Sequence, residues 1–488
     1  MPKSLCLSLA LACTLLLSAC ANTDGVASRS AVLDPKTLAA GDAIQAALAD
    51  ADWPQERWWT RWSDPQLDQL ISLALAGNPQ MGLAQARIDQ AEALARIAGA
   101  AREPAISAGG AFSRRRFSAY ANPSPPGGDT VWSNAVDASL RYELDLWGKN
   151  HATLEGALDT VQAATADARE AQLLLEASVV RTYVTLALQY DLRDVEVQTL
   201  EQQQRIVDIL ERRSKAGLAS RLEISEAHTP IAATRARIDQ YERQIALERN
   251  QLAVLTAQGP GAGERFARPN LRLDVPVALP ATLPAELVGH RPDVVAQRWR
   301  VEAAAKSIKV AHADFYPNID LIAAAGLASA AFGGFFTFVN SRAVDHSVGV
   351  AISLPIFDGG LRKGRYGVAI AGYDQAVETY NQTVLAAFQG VADQVVSLRS
   401  LDTQQRDVER SLQSAKEAFG YAEKGYRIGM TDYLNVLATQ TELLRARQSL
   451  ALTRAARLDA WAQLMTALGG AMETAATSPA QEGTGHAP

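Results

Sequence analysis

A chain of 488 residues, 48% hydrophobic and 20% charged, has the make-up of a folded protein longer than one ordinary domain. A net charge of −6 without an extended basic cluster excludes a nucleic-acid binder. All three cysteines fall within the first twenty residues, which excludes an internal disulfide or a thiolate metal site in a processed chain.

Residues 1–19 have the layout of a secretory signal: Lys3, then an apolar run from Leu5 to Leu17. Leu17-Ser18-Ala19-Cys20 resembles the lipobox of bacterial lipoproteins, which implies acylation of Cys20, its exposure as the new N-terminus, and removal of Lys3. The alternative is an ordinary signal cleaved near Ala19. In lipoproteins of this type, Ala21 rather than Asp after the cysteine implies sorting to the outer membrane. A lipidated segment then spans 20–66.

The first of two internal repeats covers 67–265. A helix at 80–101 leads to a strand at 105–117, and the loop PSPPGG (123–128) follows. Arg114-Arg115-Arg116, flanked by Phe112 and Phe117, reads as an exposed loop. A second strand at 132–147 alternates: Val136, Ala138, Leu140, Tyr142, Leu144 and Leu146 lie on one side, and Ala135, Asp137, Ser139, Arg141, Glu143 and Asp145 on the other. An apolar outside and a polar inside at period two fit an outer-membrane barrel strand.

A helix at 150–215 follows; Ala157–Ala216 contains neither Gly nor Pro, and 60 such residues at ~1.5 Å each make a rod of about 90 Å. Leu188, Leu192, Val195, Thr199, Gln202, Ile206 and Ile209 are spaced alternately by four and three, which predicts a coiled-coil seam there. Gly217 ends this helix through a left-handed cap. Ser220 and Glu223 then form a capping box that starts a return helix at 220–258, where Pro230 is expected to introduce a bend. GPGAG (259–263) lacks the Gly-Lys-Ser/Thr of a phosphate loop and reads as linker, and a linker also covers 266–284.

The second repeat, 285–468, follows the same plan: a helix at 292–313, strands at 318–328 and 345–357 around FGG (332–334), a helix at 362–428, Gly429, and a return helix at 430–468. Asn78-Pro79…Pro104 matches Arg291-Pro292…Pro317 at offset 213, YELDLWG (142–148) matches ISLPIFD (352–358) at 210, and KAGLASRLEISEA (215–227) matches RIGMTDYLNVLAT (427–439) at 212. Leu321–Val339 alone is long and uncharged enough to read as a membrane helix, but its counterpart carries three arginines, which removes that reading. The helices of about 22 and 39 residues in each half, stacked end to end, equal the long one. Residues 469–488 read as a disordered tail.

Two strands per half make four per chain, too few to close a barrel, and an open edge cannot face lipid. Two chains give eight strands filled by side chains, whereas three give twelve and leave a lumen. A passage therefore favours a trimer, continued by six helical hairpins as a long coiled-coil tube. The fold class is an α+β membrane protein with a trimeric 12-stranded β-barrel and a periplasmic α-helical barrel.

The motifs WWTRWSDPQLDQLISLALAGNPQM (58–81), YELDLWGK (142–149), LVGHRPDVVAQRWRVEAAAKSIKVAHADFYPNIDL (287–321), LPIFDGG (354–360) and YRIGMTDYLNVL (426–437) resemble a TolC-like outer-membrane factor of the NodT-type lipoprotein branch, across essentially the whole mature chain. The resemblance implies a homotrimeric exit duct embedded in outer-membrane lipid, docked onto a periplasmic membrane-fusion adaptor and an inner-membrane pump of the resistance-nodulation-division type. Alternatives are the duct of a type I secretion system, or a lipid-anchored coiled-coil adaptor. The resemblance also implies adaptor docking at the hairpin tips, Gly217-Leu218-Ala219-Ser220 and Gly429-Met430-Thr431-Asp432, and a periplasmic gate beyond them. Met430 and Leu434 match its apolar part. The acidic ring that the family carries on the second return helix falls on Asn435 and Ala438, so Glu223 and Glu226, at the equivalent positions of the first copy, are its expected replacement; the other reading of these two is a solvent-facing or helix-capping role. His151, His228, His290, His312, His346 and His486 are scattered without a catalytic motif, and neither cofactor nor enzymatic activity is expected.

Overall fold

The computed structural model describes residues 25–39, 48–49, 57–120, 124, 127–271, 279–280, 289–329 and 335–470. The signal peptide, Cys20, the tail beyond Gly470, half of the PSPPGG loop and all of FGG lie outside them. The principal elements are α1 (Pro65–Gly77), α2 (Pro79–Ala100), β1 (Ala105–Arg116), β2 (Thr130–Glu143), α3 (Lys149–Lys215), α4 (Arg221–Leu255), α5 (Pro292–Ala313), β3 (Asn318–Ser329), β4 (Val344–Ser353), α6 (Leu361–Arg427) and α7 (Tyr433–Ala467). The chain forms two compact units, one holding the four strands and the other the hairpin tips.

The strands form one antiparallel sheet in the order β1-β2-β3-β4. Its register places Ile106, Leu140, Ala323 and Val348 in one row, and Gly109, Asp137, Gly326 and Asp345 in another. Alternation then separates two faces. One carries Ile106, Val136, Leu140, Leu321, Val348, Val350 and Ile352. The other carries Ser107, Asp137, Ser139, Arg141, Asp320 and Ser347. Apolar side chains on the first face stand open, with Ile106 76% and Val348 86% accessible. On the polar face Arg141 Nη2 lies 2.7 Å from Asp320 Oδ2, and the Ser107 and Ser139 hydroxyls meet at 2.9 Å. Gly326 is required by packing, because a Cβ there would fall 2.3 Å from the Val136 carbonyl oxygen. The outer edges of β1 and β4 pair with no other strand among the described residues.

Three expectations are corrected. Arg114, Arg115 and Arg116 belong to β1 and pair with Trp132, Val131 and Thr130, so they are strand residues and not a loop. β2 ends at Glu143, before 147, because Asp145 is committed to capping α3: its carboxylate accepts the Asn150 and His151 N–H groups at 3.1 and 2.7 Å. β4 likewise ends at Ser353, before 357, because the Asp358 carboxylate accepts the Gly360 N–H at 3.0 Å and holds Arg362 Nε at 2.6 Å. These two capping aspartates stand 213 positions apart, not the 210 of the YELDLWG/ISLPIFD match.

The coiled-coil seam also lies elsewhere. Leu192, Thr199 and Ile206 are buried as the spacing predicts, but the layers between are filled by Glu196, Gln203 and Leu210; Val195, Gln202 and Ile209 only flank them. Glu196, 0% exposed, takes Arg237 Nε of α4 at 3.0 Å and the Gln448 amide of α7 at 2.8 Å. A polar layer thus replaces an apolar one between antiparallel helices, and the ion pair and the amide offset the burial of the Glu196 charge.

The return helices are shorter than read: α4 and α7 each have 35 residues, and α4 continues unbroken through Pro230. Each stops where a shorter helix begins. The Asn78 side chain, just before α2, donates to the Leu255 carbonyl at the end of α4 at 2.9 Å. Arg291, just before α5, donates to the Ala467 carbonyl at the end of α7, also at 2.9 Å. The orphan carbonyls of one helix end are thus satisfied by the next helix's leading residue.

Two further features hold segments that precede α1. Trp58, Trp59 and Trp62 are buried before α1, with the Trp58 and Trp62 rings 5.7 and 5.4 Å from that of Trp461. Asp64 caps α1 and accepts the Tyr183 hydroxyl at 2.8 Å; burial, then this carboxylate, push the Tyr183 phenol far above its ordinary range. Upstream, the Ser28 hydroxyl donates to Asp374 on α6 at 2.6 Å, and the Arg29 N–H reaches the same carboxylate at 3.2 Å.

Candidate functional site

The two hairpin tips have the same construction. Gly217 (φ +76°) follows α3, with its N–H on the Ser214 carbonyl at 2.9 Å and the Leu218 N–H on the Arg213 carbonyl at 2.8 Å. Gly429 (φ +81°) follows α6, with its N–H on the Tyr426 carbonyl at 3.1 Å and the Met430 N–H on the Gly425 carbonyl at 2.8 Å. Both are Schellman turns, which need a residue free to adopt positive φ.

The restarts differ. Ser220 and Glu223 form the reciprocal capping box: the Ser220 N–H donates to the Glu223 carboxylate at 2.6 Å, and the Glu223 N–H to the Ser220 hydroxyl at 3.2 Å. In the second copy Asp432 caps α7 through the Asn435 N–H at 2.9 Å, and the Asn435 amide turns back to the Thr431 hydroxyl at 3.1 Å. Glu223 is therefore half-buried and engaged as a cap, whereas Glu226 is exposed.

All four tip helices share one core: Ile206, Val207 and Leu210 of α3, Ala227 of α4, Leu412, Phe419 and Tyr426 of α6, and Tyr433, Val436 and Leu443 of α7. Ala219 packs against it, while Leu218, Met430 and Leu434 stand 67, 81 and 63% exposed. Thus the expected docking and gate residues gather at one end of the bundle, presenting apolar side chains that nothing in the described chain covers.

Arg213 went unnoticed in the sequence. Its Nη1 donates to the Tyr426 carbonyl at 2.8 Å and its guanidinium lies 4.7 Å from the Tyr426 ring centroid, tying the first hairpin to the second. Burial raises the Tyr426 phenol pKa, partly offset by Arg213 and reinforced by Glu223. Burial also raises that of Tyr433, with Glu226 adding to the effect. The available signal was divergence between copies, since the position equivalent to Arg213 at offset 212 is Gly425.

The model of the family described as "Outer membrane efflux protein" matches residues 70–258 and again 283–470. The chain belongs to the outer membrane efflux protein family. It is similar to the fusaric acid resistance protein FusA of Burkholderia cepacia, 38% identical over 495 residues that cover 97% of this chain and 89% of the relative. It is also similar to the probable efflux pump outer membrane protein TtgC of Pseudomonas putida, 31% identical with 86% of each chain covered. Among solved structures, the outer membrane protein VceC of Vibrio cholerae superposes with a TM-score of 0.80 at 32% identity, covering 86% of this chain and 100% of that one. As a member of this family the chain is an outer-membrane efflux duct and not an enzyme.

Proposed function

We propose that three copies of this chain close a 12-stranded outer-membrane barrel, continued by a coiled-coil tube into the periplasm, and passively conduct substrates delivered by an adaptor and an inner-membrane pump of the resistance-nodulation-division type. The observation that carries this reading is the four-stranded sheet with an exposed apolar face, a polar face and two open edges. Lipid cannot satisfy those edges, and like-handed neighbours can. The two halves, each helix–strand–strand–helix–helix and each matched by the same family model, are two copies of one structural repeat. Cys20 carries the lipid anchor. Seven residues lie between it and Ser28, a span of about 29 Å at most when extended.

The tips Gly217–Ser220 and Gly429–Asp432 dock the adaptor, with Leu218 and Met430 as their apolar contacts. Met430 and Leu434 form the apolar constriction, and Glu226 supplies the ring of negative charge that Asn435 and Ala438 do not. Glu223 contributes less, because its carboxylate is spent on the Ser220 cap. The relative from B. cepacia is named for resistance to fusaric acid, which favours drug efflux over a type I secretion duct.

Purified protein should run as an SDS-resistant, heat-dissociable trimer and form channels in planar bilayers. Glu226→Gln should reduce cation preference, and Arg213→Ala, which releases one hairpin from the other, should raise conductance. A monomer without channel activity would refute the duct; unaltered selectivity in Glu226→Gln would refute the charged ring alone.

A further inference from the structure

The loop end of the sheet's apolar face carries charge that a duct does not need. Strand alternation places Arg114 and Arg116 on the same side as Ile106 and Phe112, and all are exposed. Arg115 points to the other face, its guanidinium 4.8 Å from the Phe117 ring centroid. None of the three forms an ion pair with a described residue. Beneath Arg114 lies an aromatic cluster: its guanidinium is 5.9 Å from the Trp132 centroid, Trp132 is 5.3 Å from Phe335, and Phe112 is 5.6 Å from both Phe335 and Phe338. The buried Asn134 fixes this cluster by donating to the Phe335 carbonyl at 2.7 Å.

The opposite end of the same face, where the strands meet the helices, presents Ile106, Tyr142, Ile319 and Ile352 and no basic residue. The positive charge is thus confined to one rim. An arginine facing hydrocarbon is costly at mid-depth and nearly free at the interface, where aromatic residues also gather. Because the helices extend from the other end, this rim faces the outer leaflet, the one built of phosphorylated glycolipid.

We propose that Arg114 and Arg116 bind the phosphorylated glucosamine head group of lipopolysaccharide, while Phe112, Trp132 and Phe335 seat its sugar face and upper acyl chains. Guanidinium groups suit phosphate because they donate two parallel charge-assisted hydrogen bonds, and two of them on one strand face, about 7 Å apart, repel each other until an anion lies between. The proposal rests on the outer-membrane barrel reading above.

The test uses full-length trimers stripped of lipopolysaccharide and titrated with bis-phosphorylated lipid A in detergent, followed by native mass spectrometry. Wild type should retain lipid A, and R114Q/R116Q should bind it about tenfold or more weakly. R114K/R116K should fall between, R115Q should match wild type, and dephosphorylated lipid A should bind poorly. Equal retention by R114Q/R116Q and wild type would overturn the proposal, as would phosphatidylglycerol binding as well as lipid A. Dissociation of R114Q/R116Q trimers before any lipid is added would also overturn it, by assigning the arginines to the seam between chains. Insertion of wild type into liposomes checks the underlying reading separately: failure there overturns the barrel and this site together, whereas insertion with arginine-independent lipid A binding overturns the site alone.

Discussion

Replacing Arg237 by alanine strands the Glu196 carboxylate in the wall of the helical unit. Glu196 is 0% exposed whereas the Arg237 side chain is 39% exposed, so the two partners are not equivalent when either is lost. Without Arg237 the carboxylate keeps only the Gln448 amide, and an uncompensated buried charge costs about 3 kcal/mol. Without Glu196, as in Glu196→Leu, Arg237 turns to water and the loss stays near 1 kcal/mol or below. Gln448→Ala, which removes one hydrogen bond to a charged group, should cost about 1.5 kcal/mol. Melting of purified trimers, followed by circular dichroism and by loss of SDS resistance, should rank Arg237→Ala lowest, Gln448→Ala next and Glu196→Leu close to wild type. The pair Glu196→Leu with Arg237→Met should recover most of the loss. Equal damage from Glu196→Leu and Arg237→Ala would refute the argument from unequal access to water.

The glycines of the turns separate backbone strain from steric exclusion. A Cβ on Gly429 meets nothing within 4 Å, so Gly429→Ala should cost only the left-handed backbone, about 1 kcal/mol. A Cβ on Gly469 would lie 2.1 Å from the His290 carbonyl oxygen, so Gly469→Ala should lower the melting temperature far more, at a cost of ~3 kcal/mol or beyond. The strap from Ser28 to Ser30 should respond to pH with a definite sign. The Ser28 hydroxyl, then the Arg29 and Ser30 N–H groups, hold the Asp374 carboxyl below its ordinary value. Its contribution is complete above the unfolded value near 3.8 and is lost only as pH falls through the lower folded value. Proteolysis within residues 28–33 should therefore stay constant from neutrality to roughly pH 5, and Asp374→Asn should increase it at neutral pH.

Period and turn chemistry carried most of the architecture into the sequence. Gly217 and Gly429 were legible because a Schellman turn demands positive φ, and Ser220 with Glu223 because a capping box has fixed spacing. The strand ends were not. Asp145 continues the alternation of apolar and polar residues by chance of position, and Asp358 stands one residue past the apolar run Leu354–Phe357. Both carboxylates already serve the next helix, so pattern alone ran each strand four residues too far. Glu196 and Gln203 were hidden for the opposite reason: a search for apolar periodicity discards polar residues, and this seam alternates the two. Arg213 needed a partner from the other half, which no local pattern supplies. Its only trace was its mismatch with Gly425.

The two open edges of the sheet bear on genetics. If β1 of one chain must pair with β4 of the next, a chain with a defective edge still donates its sound edge and is taken into the ring. At equal expression of sound and defective chains, roughly one trimer in eight would then be wholly sound. Substitutions along the exposed edges of β1 and β4 should therefore act dominantly over a normal copy, whereas lesions that abolish folding outright should behave as recessive.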